Sequence, residues 1–160
     1  TNIYYNVNTS PKTLRISSEL LELWADSRKS MFNLFKKKTY NKTRLWWEVL
    51  KDLKTSNNWK IVWCTITKEI FKKTNSTDKD ISGLINEFLS NMDWNIISFL
   101  LYELEDWWIK ASFRSTEISV WDFCSSFPWW WWHKQAAWFT AYEDINTVEK
   151  DILEKLDKII

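Results

Sequence analysis

The segment DWNIISFLLYELEDWWIKA, residues 93–111, decides the fold prediction because it contains the longest apolar run of the chain, Ile96–Leu101. Asp93 is a suitable N-cap. Apolar residues then recur at helical spacing: Ile97, Leu100, Leu101, Leu104, Trp108 and Ala111. We therefore predict a central helix that is buried from several sides. The apolar run is too short for a transmembrane helix, which needs about 20 residues.

The scarcity of turn residues supports a helical fold. The chain of 160 residues has one Gly and two Pro, and sheet proteins use both residue types in tight turns. The sequence therefore predicts an all-α, single-domain bundle of six or seven helices with an extended N-terminal arm. The arm is residues 1–16, and residues 17–160 form the helical domain.

Periodicity and capping signals place the other helices. The ranges are Ser17 or Ser18 to Lys38, Lys42–Lys54, Trp59–Phe71, a helix after a Thr77/Asp80 capping box, Pro128–Tyr142, and a last helix after an Asn146/Glu149 capping box. Trp59–Phe71 is rich in β-branched residues but keeps a helical stripe. After Arg114 a short helix or loop is predicted, because a lone strand has no partner.

The two halves of the chain carry opposite charges. The basic part, up to residue 74, has 15 Lys and Arg against 6 Asp and Glu, and the acidic, Trp-rich part, 75–160, has 7 against 15. A polyanion such as nucleic acid is one partner of a basic surface. The candidate residues are Arg28, Lys29, Lys36, Lys37, Lys38, Lys42 and Arg44. Head-to-tail self-association and pairing of the two halves within one chain are the alternatives.

Tryptophan is abundant, with 14 residues. Selection for large aromatic surfaces explains this excess, and so does a genetic code in which UGA also reads as Trp; composition does not separate the two. Exposed Trp patches are typical of binding sites. The predicted partner-binding residues are Trp46, Trp47, Trp129, Trp130, Trp131 and Trp132.

No pattern predicts catalysis, a metal site or a cofactor. His133 is the only histidine, no metal-ligand spacing occurs, and one glycine excludes a Gly-rich phosphate loop. Cys64 and Cys124 are expected to be buried free thiols, with a long-range disulfide as the alternative.

These observations predict a non-enzymatic interaction or assembly protein that binds a protein partner or itself through Trp-rich surfaces. Nucleic-acid binding by the basic half and small-ligand binding in a Trp-lined pocket are the alternatives. No signal peptide is visible, so an intracellular location is expected, and secretion after signal cleavage is the alternative.

Overall fold

The protein is a mixed α/β protein, and the prediction of an all-α helical bundle is wrong. The computed structural model describes residues 9–106, 108–115, 117–127, 130–131 and 136–160. Within them are seven α-helices and one mixed β-sheet. The chain divides into two compact units, residues 1–39 and 40–160.

The N-terminal unit is helical where it is described. Helix α1 spans Pro11–Glu22, α2 spans Ser27–Met31, and a π-helical turn follows at Phe32–Lys36. Pro11 opens α1 because a first-turn residue needs no backbone N–H partner, and Ser10 caps the helix. The expected extended arm is therefore wrong from Pro11 onwards, and residues 1–8 lie outside the described residues.

The second unit is built on a sheet of five strands of three or more residues and a sixth, two-residue strand at its edge. The strands are β1 (Lys54–Ser56), β2 (Ile61–Ile66), β3 (Ile97–Glu103), β4 (Ile109–Ser115), β5 (Trp130–Trp131) and β6 (Ala136–Ala141). Their order across the sheet is β1-β2-β3-β4-β6-β5. Strands β2 and β3 are parallel, whereas every other neighbouring pair is antiparallel.

Helical segments cover both faces of this sheet. They are α3 (Tyr40–Leu50), α4 (Lys68–Thr74), a 3-10 turn (Asp78–Ile81), α5 (Leu84–Glu87), a 3-10 turn (Leu89–Asn91), α6 (Val120–Cys124) and α7 (Ile145–Leu156). One apolar core lies between the sheet and α6 and α7. The other joins the opposite face of β2 and β3 to α3 and to the segment 81–89.

The largest correction concerns residues 93–111, which form β3, a turn and β4 instead of a central helix. Six of the seven β3 residues are buried, because β3 is an inner strand with an apolar core on each face. Such a strand has no alternation of apolar and polar residues. A short apolar run of this kind cannot be told from a buried helix by periodicity.

Two further segments that were predicted to be helices also form strands of this sheet. Trp59–Phe71 contains β2 and then α4, so its β-branched residues were the better signal. Within Pro128–Tyr142 the described residues form β5 and β6. In β6, Ala137 and Phe139 are buried while their neighbours are half-buried, which is the alternation of a strand.

Other predictions are confirmed. The Thr77/Asp80 capping box is present, although it starts a 3-10 turn. Helices α3 and α7 overlap two predicted ranges, although α3 begins at Tyr40 and ends at Leu50, and α7 begins at Ile145. Helix α6 fits the short helix or loop expected after Arg114. The cap of α7 is Asp144 rather than Asn146. None of the helices in the described ranges is long and apolar enough to cross a membrane.

Candidate functional site

An open pocket of about 300 Å³ lies where the start of β3 and the end of β4 meet the α5 segment. Its lining residues are Asn86, Ser90, Asn95, Ile96, Ser98, Arg114, Ser115 and Ala136. These come from the three strands β3, β4 and β6, from α5 and the 3-10 turn after it, and from the turn before β3. This volume is at the lower end of the range for small-ligand sites, about 300–1,000 Å³.

Arg114 is the only charged side chain among these lining residues. It alternates with the buried Phe113 and Ser115 on β4, so it faces away from the core under α6 and α7. Its Nε donates to Asn86 Oδ1 at 2.9 Å and its Nη1 donates to the Phe113 carbonyl at 2.7 Å. Two of its five N–H groups are thereby used, and the guanidinium is held in place.

Among the described residues, no acidic side chain forms an ion pair with the guanidinium of Arg114. Burial lowers the pKa of Arg114, because desolvation disfavours the charged form. An arginine nevertheless stays protonated in proteins. The pocket therefore holds a partly desolvated positive charge, which an anion would stabilise.

Two buried polar atoms of residues that line the pocket have no hydrogen-bond partner in the described part of the chain. Ser90 Oγ and Asn95 Oδ1 are buried and unsatisfied. Most buried polar atoms in proteins are paired, so unpaired ones call for an explanation such as a bound water, ion or ligand. Both residues line the Arg114 pocket, but these two atoms are closed off from solvent and so do not belong to its accessible surface.

The pocket wall is fixed by hydrogen bonds. Ser115 Oγ donates to the Ile96 carbonyl at 2.7 Å and accepts from the backbone N–H of Ile118 at 3.0 Å. The Asn95 amide nitrogen donates to the Leu89 carbonyl at 2.7 Å and to the buried Ser98 hydroxyl. The side chains of Ser115 and Asn95 in this wall are therefore positioned before any ligand binds, which lowers the entropic cost of binding.

Two other pockets of the same unit are acidic. One of about 710 Å³ is lined by Asp78, Glu103, Glu105 and Asp106 together with Lys68 and Lys79, and one of about 320 Å³ includes Glu103, Glu143 and Asp144. In the described part of the chain, no three His, Cys, Asp or Glu side chains are grouped so that they could hold a metal ion. The Arg114 pocket is the anion-binding candidate because its lining holds a cation and no carboxylate.

The predicted partner-binding tryptophans lie in different environments. Trp46 is buried and its Nε1 donates to the Asp80 carbonyl at 2.9 Å, whereas Trp47 is 77% exposed. Trp130 and Trp131 form β5, which pairs with β6, and nothing is described of their side chains. Trp129 and Trp132 lie outside the described residues. Their role in partner binding stays a prediction.

The predicted nucleic-acid-binding residues are divided between the two units. Arg28, Lys29, Lys36, Lys37 and Lys38 belong to residues 1–39, while Lys42 and Arg44 lie on α3. Lys42 lies over the Trp46 ring, with 4.9 Å from Nζ to the centroid, and Arg44 lies over the Tyr40 ring at 5.8 Å. Cation–π contacts therefore engage both side chains of α3. Nucleic-acid binding by this set stays a prediction.

Sequence reasoning missed Arg114, Ser90 and Asn95. The available signal was the alternation in Ile109–Ser115, where Lys110, Ser112 and Arg114 interrupt apolar or small residues at period two. An arginine between Phe113 and Ser115 in such a strand indicates a polar sheet face. Ser90 and Asn95 carry no comparable pattern, since only the fold brings them to β4.

Cys64 and Cys124 are free and buried, as expected. Burial raises the pKa of each thiol to about 12. Cys64 belongs to the core on the α3 side of the sheet and Cys124 to the core on the α7 side. The alternative of a disulfide between them is therefore not realised in this fold.

Comparison with known proteins identifies a similar fold. No protein-family model matches the chain, and no characterised protein matches it by sequence. The crystal structure of an exopolyphosphatase-related protein from Bacteroides fragilis is similar, with a TM-score of 0.85 and 21% sequence identity. The match covers 97% of this chain and 45% of that chain, so this chain spans less than half of the length of that protein. At this identity the likeness shows the fold alone.

Proposed function

We propose that residues 40–160 bind a phosphate-containing anion in the Arg114 pocket. The observation that carries the proposal is the Arg114 guanidinium, which is partly desolvated and forms no ion pair among the described residues. Three of its N–H groups remain available, and a guanidinium can bind phosphate oxygens through two parallel hydrogen bonds. The lining residues include no carboxylate to repel the ligand.

The comparison with known proteins suggests which anion of this class to test first. The similar protein from Bacteroides fragilis is described as exopolyphosphatase-related. Polyphosphate is a chain of anionic phosphates, which agrees with this chemistry and suggests a short polyphosphate as the first ligand to test.

Binding is proposed here rather than catalysis. The lining residues include no carboxylate, histidine or cysteine, so they supply neither a general base nor a metal ligand. The non-enzymatic role expected from the sequence stays a prediction. Residues that complete a reaction with a bound phosphate would have to come from elsewhere.

Calorimetric titration of the protein with sodium tripolyphosphate at low ionic strength tests the proposal. Arg114→Gln should weaken binding about ten- to a hundredfold, since a hydrogen bond to a charged group contributes about 1.5–3 kcal/mol. Arg114→Lys should have a smaller effect, because it keeps the charge but loses the bidentate geometry.

Arg44→Gln is the matched control, because it removes one exposed cation of α3 that hydrogen-bonds the Lys73 carbonyl. It should leave the dissociation constant for tripolyphosphate nearly unchanged. Equal affinity of wild type and Arg114→Gln, or no binding by the wild type, would refute the proposal. A loss with Arg44→Gln alone would instead support an anion-binding surface on α3.

A second proposal retains the role of an interaction or assembly protein. Trp47 is 77% exposed, and it lines a groove of about 280 Å³ with Arg44, Glu48 and Lys73. A large exposed aromatic side chain beside a groove is typical of binding hot spots. Light scattering across protein concentrations should show association that Trp47→Ala reduces. A monomer at every concentration would argue against self-association.

A further inference from the structure

We propose that positions 24, 59 and 94 are glycine in the protein as its own cell makes it, because the codon read there as tryptophan specifies glycine in that cell. The backbone is the first observation. Trp24, Trp59 and Trp94 have φ angles of 63°, 71° and 66°. This left-handed region is accessible to glycine at no steric cost, whereas a bulky residue there is an outlier.

Position 24 ends a helix in the way that glycine does. Leu23 is the C-cap of α1, so Trp24 is the first residue beyond it. The Trp24 N–H donates to the Leu21 carbonyl at 3.0 Å, and the Ala25 N–H donates to the Leu20 carbonyl at 2.9 Å. These two bonds define the Schellman motif, in which this position is left-handed and usually glycine.

Position 59 lies in the hairpin turn between β1 and β2. The Lys60 N–H donates to the Asn57 carbonyl at 3.2 Å, so Asn58 and Trp59 are the two central residues of the turn. Both have positive φ, as a type I′ turn requires. The preferred sequence of such a turn is Asn-Gly. Asn58 already supplies the first residue of that pair.

Position 94 lies in a different turn, just before β3. The Asn95 N–H contacts the Met92 carbonyl at 3.4 Å, which makes Asp93 and Trp94 the central residues. Of these two, only Trp94 has positive φ. A type II turn needs positive φ at its second central residue and favours glycine there. Three structurally different motifs thus place tryptophan where each of them favours glycine.

The side chains at these positions do not explain the choice of tryptophan. Trp24 is 93% exposed, Trp94 is 85% exposed and Trp59 is 58% exposed. Trp63, in contrast, is buried and stacks on Phe99 with 5.5 Å between ring centroids. Apart from Asn and Gly83, every described residue in the left-handed region is a tryptophan. Asn tolerates this region, but tryptophan has no such property.

Composition points the same way. The chain has one glycine and 14 tryptophans, whereas average usage of about 7% predicts roughly 11 glycines in a chain of this length. Glycine at the three positions moves both counts toward average usage, to four glycines and 11 tryptophans. UGA is the candidate codon because its meaning differs between genetic codes. Selection for aromatic surfaces explains neither the positive φ angles nor the missing glycines.

Peptide mass spectrometry of the protein isolated from its natural source decides the matter. The peptides that contain positions 24, 59 and 94 should have the masses of glycine-containing sequences. Tryptophan at these three positions would overturn the proposal. The same measurement shows whether each of the remaining 11 positions holds tryptophan or glycine.

A stability series of the recombinant tryptophan-containing chain tests the backbone argument separately. Trp24→Gly, Trp59→Gly and Trp94→Gly should each raise the midpoint of thermal unfolding, because the strained side chain is removed. Trp121→Gly is the control, since Trp121 is partly exposed but lies inside α6 without positive φ. It should lower the midpoint, as glycine does within helices. Lower midpoints for all four variants would overturn the argument.

Discussion

Phe113 offers the sharpest test of the sheet, because it lies at the centre of an aromatic cluster on β4. It is fully buried, and its ring centroid lies 5.3 Å from that of Phe99, 5.2 Å from Phe123 and 5.8 Å from Phe139. These partners come from β3, α6 and β6. Truncation of Phe113 therefore removes contacts that join three strands and a helix.

The expected cost of Phe113→Ala is large. Replacing a buried Phe by Ala costs about 3–5 kcal/mol. Aromatic pairs contribute about 0.5–1.5 kcal/mol each beyond the area that they bury, which places this site at the upper end of that range. A domain of ordinary stability has about 5–15 kcal/mol in total. The variant should keep only a small free energy of unfolding. Phe113→Leu, which removes less of the side chain, therefore provides a second measurement.

Ser112→Ala is the control on the same strand. Ser112 is half-buried on the opposite face and hydrogen-bonds Tyr102, so its loss should cost about 1 kcal/mol. Urea unfolding followed by far-ultraviolet circular dichroism measures both values. The comparison is valid if the dependence of the unfolding free energy on urea concentration is the same for the variants as for the wild type. A cost below about 1 kcal/mol for Phe113→Ala, or equal costs for both variants, would refute the strand assignment and its register.

Two further predictions concern the cap of α7 and the buried thiols. Asp144 Oδ1 accepts from the N–H groups of Asn146 and Thr147. Asp144→Ala should therefore lower the free energy of unfolding, measured in urea, by about 1 kcal/mol, and Asn146→Ala by clearly less. A larger loss with Asn146→Ala would show that Asn146 is the cap, as the sequence predicted. Desolvation raises the pKa of Cys64 and Cys124 from an ordinary 9.0 to about 12. Their contribution to stability is therefore complete below pH 9 and is lost between pH 9 and 12, as the thiols of the unfolded chain ionise first. The urea midpoint should fall less steeply over this interval in Cys124→Ala, and an unchanged slope would contradict the burial of that thiol.

The sequence predicted helices well where one face alone is apolar. In α7, Val148, Ile152 and Leu156 are buried and recur at helical spacing, because this helix covers the sheet from one side. The capping box at Thr77 was also visible, since it depends on residues three positions apart. Such signals are local and survive without knowledge of the fold.

The sheet could not be predicted for two physical reasons. Strand β3 is covered on both faces and so shows no alternation. The scarcity of glycine argued against turns, yet the chain turns at Asn57, Asn58, Trp59 and Trp94 with positive φ. The inference from composition to fold class failed because other residue types occupy the glycine positions. Arg114 was missed as a consequence, since its pocket exists only once β3 and β4 pair.

The parallel pairing of β2 with β3 affects how the chain reaches its native state. Residues 67–96 separate these two strands, so the central pair of the sheet closes a long loop. The chain loses conformational entropy when this loop closes, before the contacts between β2 and β3 compensate for the loss. The β3–β4 hairpin needs no such closure, so we expect it to form first and β2 to pair with it later. Until then one edge of β3 exposes apolar residues and unpaired backbone groups, which makes this stage the most prone to aggregation.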